Sequence, residues 1–238
     1  MPADRKAEIA GRRLVLIDDV LTSGATVAVA VGIAVAVGVG VAVAVEVGVA
    51  VGRGLGPDLI ITVDNGISSM AGVEAARQQG VRVLVAHCAS LGTGLDLDAG
   101  SRPARVDNFA LFVRLMEEPN YQGLLFGEIS GITQINRVQD RLETLLRRRD
   151  WQSRLVNGSD YPLPGVLPLF SIKQMLRRGY LQPDAVATLS DIRRHNPLLF
   201  DLVLKRSLRI DTLGFAPRVF ESRRVFQPAA GSNPSQSD

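Results

Sequence analysis

Two acidic residues and a group of small and hydroxyl residues lie near the start of the chain. Asp18 and Asp19 end the apolar run LVLIDDV, and LTSGAT follows at positions 21–26. A short apolar run of this kind is typical of a buried parallel strand. Backbone N–H groups and hydroxyls that converge where a helix begins bind phosphate, and Gly24 can adopt the positive φ that such a loop uses. The stretch therefore predicts a strand followed by a phosphate-binding turn.

Residues 14–26 also resemble the signature of the phosphoribosyltransferases, which has an acid pair followed by T-S-G-x-T. The resemblance implies that Asp18 and Asp19 face the ribose hydroxyls and a Mg²⁺ ion. It implies that the 5′-phosphate is held by Thr22, Ser23, Gly24 and Thr26. The pyrophosphate loop and the base-binding hood of those enzymes have no counterpart here, so a strand and turn without the enzyme's activity is the alternative.

A third acid, Asp64, follows the apolar run LIIT in LIITVDNG. A helical pattern with Val73 and Ala76 on one face comes next, Gly80 ends it, and VRVLV is the following strand. This β-α-β unit resembles the DHH-family phosphoesterases of the RecJ exonuclease type, which implies that Asp64 binds Mn²⁺. The residues VAHCAS stand where that family has D-H-H, which argues against a complete two-metal site.

Further along the chain, three motifs contain polar residues next to apolar runs. They are AHCASLG, which includes His87, FGEISGITQINR, and LVNGSDYPLPG, which includes Asp160. Here apolar runs that end in polar residues alternate with helical patterns. That alternation predicts parallel βα units with polar groups at the carboxyl ends of the strands.

On these three motifs, residues 86–226 resemble the C-terminal half of a TIM-barrel amidohydrolase, a metal-dependent hydrolase. The resemblance implies that a divalent metal, usually Zn²⁺, activates a water. It implies that His87 ends the sixth strand as a ligand or polarising group, and that Asp160 ends the eighth as a ligand and proton acceptor. The paired histidines of the first strand and the histidine of the fifth are absent, so we expect an incomplete site. Glu128 either assists or is a structural carboxylate, and His195 is interpreted as a surface residue.

Local signals predict three helices in this half of the chain. Asp107 or Asn108 is expected to cap one helix, and Asn196 is expected to cap another with Pro197 at its first position. A third helix is predicted over INRVQDRLETLLRRR, and its apolar stripe consists of Ile135, Val138, Leu142 and Leu145.

The segment from Val27 to Val51 alternates Val with Ala or Gly, broken only by Ile33 and Glu46. Alternation is a strand pattern, but an unbroken strand of this length would span roughly 80 Å. Residues 27–45 carry no charge and also reach the length of a membrane span, although Ala and Gly are only weakly apolar. We interpret the segment as low complexity and expect a poorly determined helix or a strand of shifting register.

Composition narrows the function classes. The formal charge of +3 is too small for a specific nucleic-acid interface, and a single cysteine fits a reducing compartment. The first residues lack the apolar core of a signal peptide, so a cytoplasmic protein without a membrane partner is expected.

The predicted fold class is α/β: parallel βα units forming an incomplete TIM-barrel-like half, preceded by a Rossmann-like β-α-β portion. The predicted segments are a phosphate-loop-like strand and turn (1–26), the repeat (27–54), the DHH-like unit (55–85), the amidohydrolase-like half barrel (86–226) and a disordered tail (227–238). The sequence leaves three functions open. These are an amidohydrolase-like hydrolase of a small molecule with an incomplete and inactive Zn²⁺ site, a phosphate or nucleotide binder with Mg²⁺ or Mn²⁺, and a non-catalytic or artificial chain.

Overall fold

Short apolar runs along the chain form the strands of one parallel sheet. The computed structural model describes residues 14–18, 33–37, 59–62, 70–138 and 140–226. The sheet strands are β1 (Leu14–Asp18), β2 (Ile33–Val37), β3 (Leu59–Thr62), β4 (Arg82–Val85), β7 (Leu125–Glu128) and β8 (Leu155–Val156). Their order is β2-β1-β3-β4-β7-β8, and every pairing is parallel. The predicted α/β class is confirmed, and the described strands form an open sheet rather than a closed barrel.

A small antiparallel pair stands apart from the main sheet. Its strands are β5 (Thr93–Leu95) and β6 (Arg105–Asp107). The helices are α1 (Met70–Gln78), α2 (Asn108–Glu117), α3 (Asp140–Arg147), α4 (Ile172–Arg177), α5 (Ala185–His195), α6 (Pro197–Ser207) and α7 (Arg223–Phe226). None of the helices described is long and apolar enough to cross a membrane.

The two faces of the sheet bury different side chains, because successive residues of a strand point to opposite faces. Val83 and Val85 of β4 belong to the main core, in which the other large fully buried side chains include Phe112, Leu125, Leu142, Leu155 and Phe200. The intervening Leu84 packs on the other face with Phe126, Val156 and Val225 in a smaller cluster. Both faces of the C-terminal strands are therefore covered.

Local signals locate the helices well. Asn196 caps α6, its Oδ1 accepts a hydrogen bond from the Leu199 N–H (2.9 Å), and Pro197 is the first helical residue, as predicted. Val73 and Ala76 of α1 are buried, and Gly80 ends that helical region at φ +66°. Asp107 lies at the cap position of α2, but its carboxylate accepts from Arg141 (2.9 Å) instead of capping the helix.

One helical prediction needs correction, and the strand alternative for the repeat agrees with the part of it that is described. Helix α3 begins only at Asp140, and Ile135 is 38% exposed in the turns before it. Val138, Leu142 and Leu145 are buried as predicted, so the stripe was one residue too long. Within the repeat, Ile33–Val37 forms a defined strand, β2, in register with β1. The rest of the repeat and the predicted disordered tail lie outside the described residues.

Candidate functional site

The parallel sheet brings polar side chains together at its carboxyl edge. His87 follows β4 by two residues, Glu128 is the last residue of β7, and Asp160 follows β8. Strands β4, β7 and β8 are consecutive neighbours. Ligand sites of parallel α/β proteins lie at this edge, because loops from neighbouring strands meet there.

The turn after β4 has an uncommon backbone. His87, Cys88 and Ala89 have φ values of 52°, 50° and 49°, in the left-handed region that side chains with a Cβ seldom adopt. The turn is tied to the end of β7, because the His87 N–H donates to Glu128 Oε2 (3.2 Å) and the Cys88 thiol donates to the Glu128 carbonyl (3.3 Å). These contacts hold the turn in its left-handed conformation and help to offset the backbone strain.

Glu128 is held by hydrogen bonds at both carboxylate oxygens. Besides the His87 N–H, it accepts from the Ser130 N–H (2.5 Å) and from Ser130 Oγ (2.6 Å). An alanine Cβ at Gly158 would collide with the same carboxylate. Glu128 thus joins the ends of two strands through its carboxylate, as the structural alternative predicts, and whether it also assists the site stays open.

His87 is 8% exposed, and its ring is oriented by Ser130. Its Nδ1 lies 2.7 Å from Ser130 Oγ and 3.1 Å from the Ser130 carbonyl oxygen. Glu128 Oε2 is 3.7 Å from the same nitrogen. Because these groups occupy Nδ1, any metal bound by His87 would have to use Nε2.

Asp160 and His87 both lie near Gly131. A Cβ placed on Gly131 would lie 3.5 Å from His87 Nδ1, 3.6 Å from Asp160 Oδ2 and 3.2 Å from Gln134 Nε2. His87 Nδ1 and Asp160 Oδ2 both lie within 3.6 Å of that Cβ position, so the distance between these two atoms cannot exceed twice 3.6 Å. The structure brings the two predicted site residues into one cluster, with Gln134 as a third polar neighbour.

A buried lysine supports the loop that carries Asp160. Asp160 itself has φ 52°, and two residues earlier the Gly158 carbonyl accepts from Lys205 Nζ at 2.6 Å. Lys205 also forms an ion pair with Asp201 Oδ2 at 2.7 Å, and neither side chain is more than 1% exposed. The left-handed loop is therefore held from helix α6.

Charge and burial shift two pKa values near this cluster. Burial raises the pKa of Asp201 to about 6, the Lys205 ammonium opposes that shift, and the nearby carboxylates of Glu128 and Asp160 add to it. Burial, with the Glu128 carboxylate, raises the pKa of the Cys88 thiol well above its usual range. Asp201 and Cys88 thus lie in a water-poor environment in which charged forms are penalised unless paired.

Sequence reasoning missed Ser130, Gln134, Asp201 and Lys205. Ser130 and Gln134 carried no signal, because their roles arise from contacts with residues distant in sequence. Asp201 and Lys205 did carry one: they lie four residues apart within the apolar stretch LLFDLVLKR, which is the spacing of a buried pair on one helix face. His195 is on the surface as predicted, with its side chain 74% exposed.

Of the residues predicted to bind phosphate, the structure describes only Asp18. Asp18 ends β1 and is paired in register with Val37 at the same carboxyl edge, but β3 separates β1 from β4. The other residues of the phosphate prediction, and the metal candidate of the DHH-like unit, lie outside the described residues: Asp19, Thr22, Ser23, Gly24, Thr26 and Asp64.

The described donors do not make up a complete catalytic zinc site. Within residues 70–138 and 140–226, and the described strands before them, no group of three or more His, Cys, Asp or Glu side chains could hold a metal. Catalytic Zn²⁺ normally has three protein ligands, whereas His87 and Asp160 supply two. Comparisons with models of protein families, with curated proteins and with solved structures gave no match.

Proposed function

We propose that the chain is a hydrolase-type protein related to the amidohydrolases, with a site for a small-molecule substrate centred on His87 and Asp160. The observation that carries the proposal is that both side chains lie near Gly131, at the carboxyl edge of a parallel sheet. A histidine and a carboxylate at that edge are the groups that proton-transfer chemistry on a bound water needs.

Each side chain has a distinct role in this proposal. The Asp160 carboxylate accepts a proton from water. Glu128 suits this role less well, because its carboxylate already accepts three hydrogen bonds from His87 and Ser130. His87 polarises the substrate group or accepts a hydrogen bond from it. Gln134, which contributes an N–H donor beside Gly131, orients the substrate.

A divalent metal, with Zn²⁺ the first candidate, would be held by His87 and Asp160 and would supply Lewis-acid chemistry. With two ligands from the described residues, the metal site is incomplete, so we expect weak binding and little or no turnover.

Zinc titration by calorimetry tests the proposal. We expect the native chain to bind one Zn²⁺ weakly, and Asp160→Asn to abolish that binding. Asp191→Asn is the matched control, because Asp191 is exposed on α5 far along the chain from the cluster. Binding that persists in Asp160→Asn, or that is absent from the native chain, would overturn the metal-dependent form of the proposal.

A second candidate function rests on the strand order. The chain passes from β1 to β2 on one side and later returns to place β3 on the other side of β1. Open α/β sheets bind ligands at such a reversal, next to the carboxyl ends of the strands. Asp18 ends β1 at this point, which favours a phosphate or nucleotide site there.

Thermal unfolding with phosphoribosyl pyrophosphate and Mg²⁺ tests this second function. A ligand that binds the folded chain raises the melting temperature by mass action. We expect such a rise, and expect its loss when Asp18 and Asp19 are both replaced by Asn. A chain that responds neither to this ligand nor to ribose 5-phosphate does not have the site. If the zinc titration is also negative, the non-catalytic alternative is favoured.

A further inference from the structure

The surroundings of Nδ1 bear on which ring nitrogen of His87 carries the proton. In the described part of the chain, three oxygen atoms lie close to Nδ1. They are Ser130 Oγ at 2.7 Å, the Ser130 carbonyl oxygen at 3.1 Å and Glu128 Oε2 at 3.7 Å. The nearest of them belongs to a hydroxyl, which can either donate or accept.

Glu128 decides the direction of that hydroxyl. Ser130 Oγ donates its proton to Glu128 Oε2 over 2.6 Å. A hydroxyl has a single proton, so Ser130 Oγ can only accept on the side that faces His87. The carbonyl and carboxylate oxygens are acceptors as well. The two oxygens within hydrogen-bond distance of Nδ1, both of Ser130, are thus matched by an N–H donor there, and the Glu128 carboxylate favours the same proton position electrostatically.

We propose that Ser130 and Glu128 are positioning residues that fix neutral His87 as its Nδ1–H tautomer, so that Nε2 carries the lone pair. The tautomer of a histidine is set by the hydrogen bond that its other nitrogen makes. Nε2 then acts as an acceptor, which fits a water, a hydroxyl or an amide N–H of the substrate. The choice of substrate group rests on the proposed function, whereas the tautomer itself does not.

The left-handed turn serves this arrangement. The His87 N–H donates to Glu128 Oε2, the same oxygen that accepts from Ser130 Oγ. One carboxylate oxygen therefore holds both the backbone of His87 and the hydroxyl that orients its ring. The side chain of Glu128 acts on the imidazole through Ser130 and does not itself need to reach a substrate.

Nitrogen-15 spectroscopy of the histidine rings tests the proposal on the intact chain without metal or substrate. The chain has two histidines, and His195→Gln identifies the signals of His87. In alkaline buffer, where imidazole is neutral, we expect a pyrrole-type resonance for Nδ1 and a pyridine-type resonance for Nε2. The reverse assignment would overturn the proposal.

Two variants separate positioning from simple packing. Ser130→Ala removes the nearer acceptor and the link to Glu128 while keeping the carbonyl, so both ring nitrogens should move toward averaged positions. Ser130→Thr keeps the hydroxyl and should restore the native spectrum. If Ser130→Ala leaves the two resonances unchanged in a folded chain, Ser130 is not a positioning residue. Should Ser130→Ala fail to fold, Glu128→Gln gives the same readout. A failed zinc titration with the predicted tautomer present would overturn the metal-dependent form of the proposed function alone.

Discussion

Lys205 Nζ lies 2.7 Å from Asp201 Oδ2, one turn away on α6, and water reaches neither side chain. The same ammonium donates to the Gly158 carbonyl, in the loop that leads to Asp160. A buried ion pair is weak evidence for stability, because the desolvation cost of two charges is comparable to their attraction. Its contact with the loop indicates that it serves to hold the site.

Breaking this pair should be costly. We expect Lys205→Met to lower the free energy of unfolding by about 3–5 kcal/mol, since it leaves the Asp201 carboxylate buried without its partner. Lys173→Met is the control, because Lys173 is exposed. Replacing both partners, Lys205→Met with Asp201→Leu, should restore most of the loss. Denaturant titration measures all three, and a Lys205→Met chain as stable as the native one would contradict the prediction.

The same pair predicts a pH dependence of stability. Burial raises the pKa of Asp201 from 3.8 to about 6 in the folded chain, so between those values the folded state binds more protons than the unfolded state. Stability from this group is therefore greatest below the lower value, falls as the pH rises through the window and is constant above it. A two-unit shift corresponds to a loss on the order of 3 kcal/mol.

Comparison with the double variant isolates this contribution. Carboxylates with lowered pKa, such as Asp96 beside Arg114, change stability in the opposite direction over a lower pH range. The difference in unfolding free energy between the native chain and the Lys205→Met, Asp201→Leu chain removes them. We expect the native chain to lose unfolding free energy relative to the double variant as the pH rises from 3.8 to about 6. A difference that is independent of pH would show that the Asp201 pKa is not raised.

Gly131→Ala should close the site. Gly131 has φ +63°, and the new Cβ would contact His87, Asp160 and Gln134. Gly179→Ala is a matched control, because Gly179 has φ +75° with nothing within 4 Å of an added Cβ. Both variants should lose about 1–3 kcal/mol to backbone strain, but only Gly131→Ala should lose the weak zinc binding. Equal zinc affinity in the two variants would place the binding site elsewhere.

Phe112→Ala should destabilise the main core on which β7 packs. Phe112 is fully buried, lies edge-on to Trp151 at 5.9 Å, and packs so closely on β7 that a Cβ on Gly127 would come within 2.6 Å of its ring. We expect a loss of about 3–5 kcal/mol in denaturant titration. Phe226→Ala, at a position 45% exposed, should cost far less. Similar losses in the two variants would contradict this view of the core.

Features set by neighbouring residues could be predicted from the sequence. The cap at Asn196, the proline after it and the strand ahead of His87 follow from patterns a few residues long. The start of the helix after Ile135 could not be predicted in this way. The apolar period of the sequence continues through turns that precede the helix and are held by tertiary contacts.

The site itself was predictable only in part. His87 and Asp160 were singled out by the resemblance to the amidohydrolases, and the apolar runs ahead of them placed both residues at one sheet edge. The support given by Ser130 to His87 joins residues 43 positions apart, and no local pattern encodes such a contact. Likewise, the need for glycine at position 158 is evident only in the structure, where an added Cβ would collide with the Glu128 carboxylate.

Cys88 gives the chain a built-in chemical reporter. Its thiol is fully buried, donates to the Glu128 carbonyl and has a raised pKa. Because the thiolate is the reactive form, alkylating reagents should modify it only when the edge of the sheet opens. The chain has one cysteine, so the rate of a single labelling reaction measures how often the ends of β4 and β7 separate.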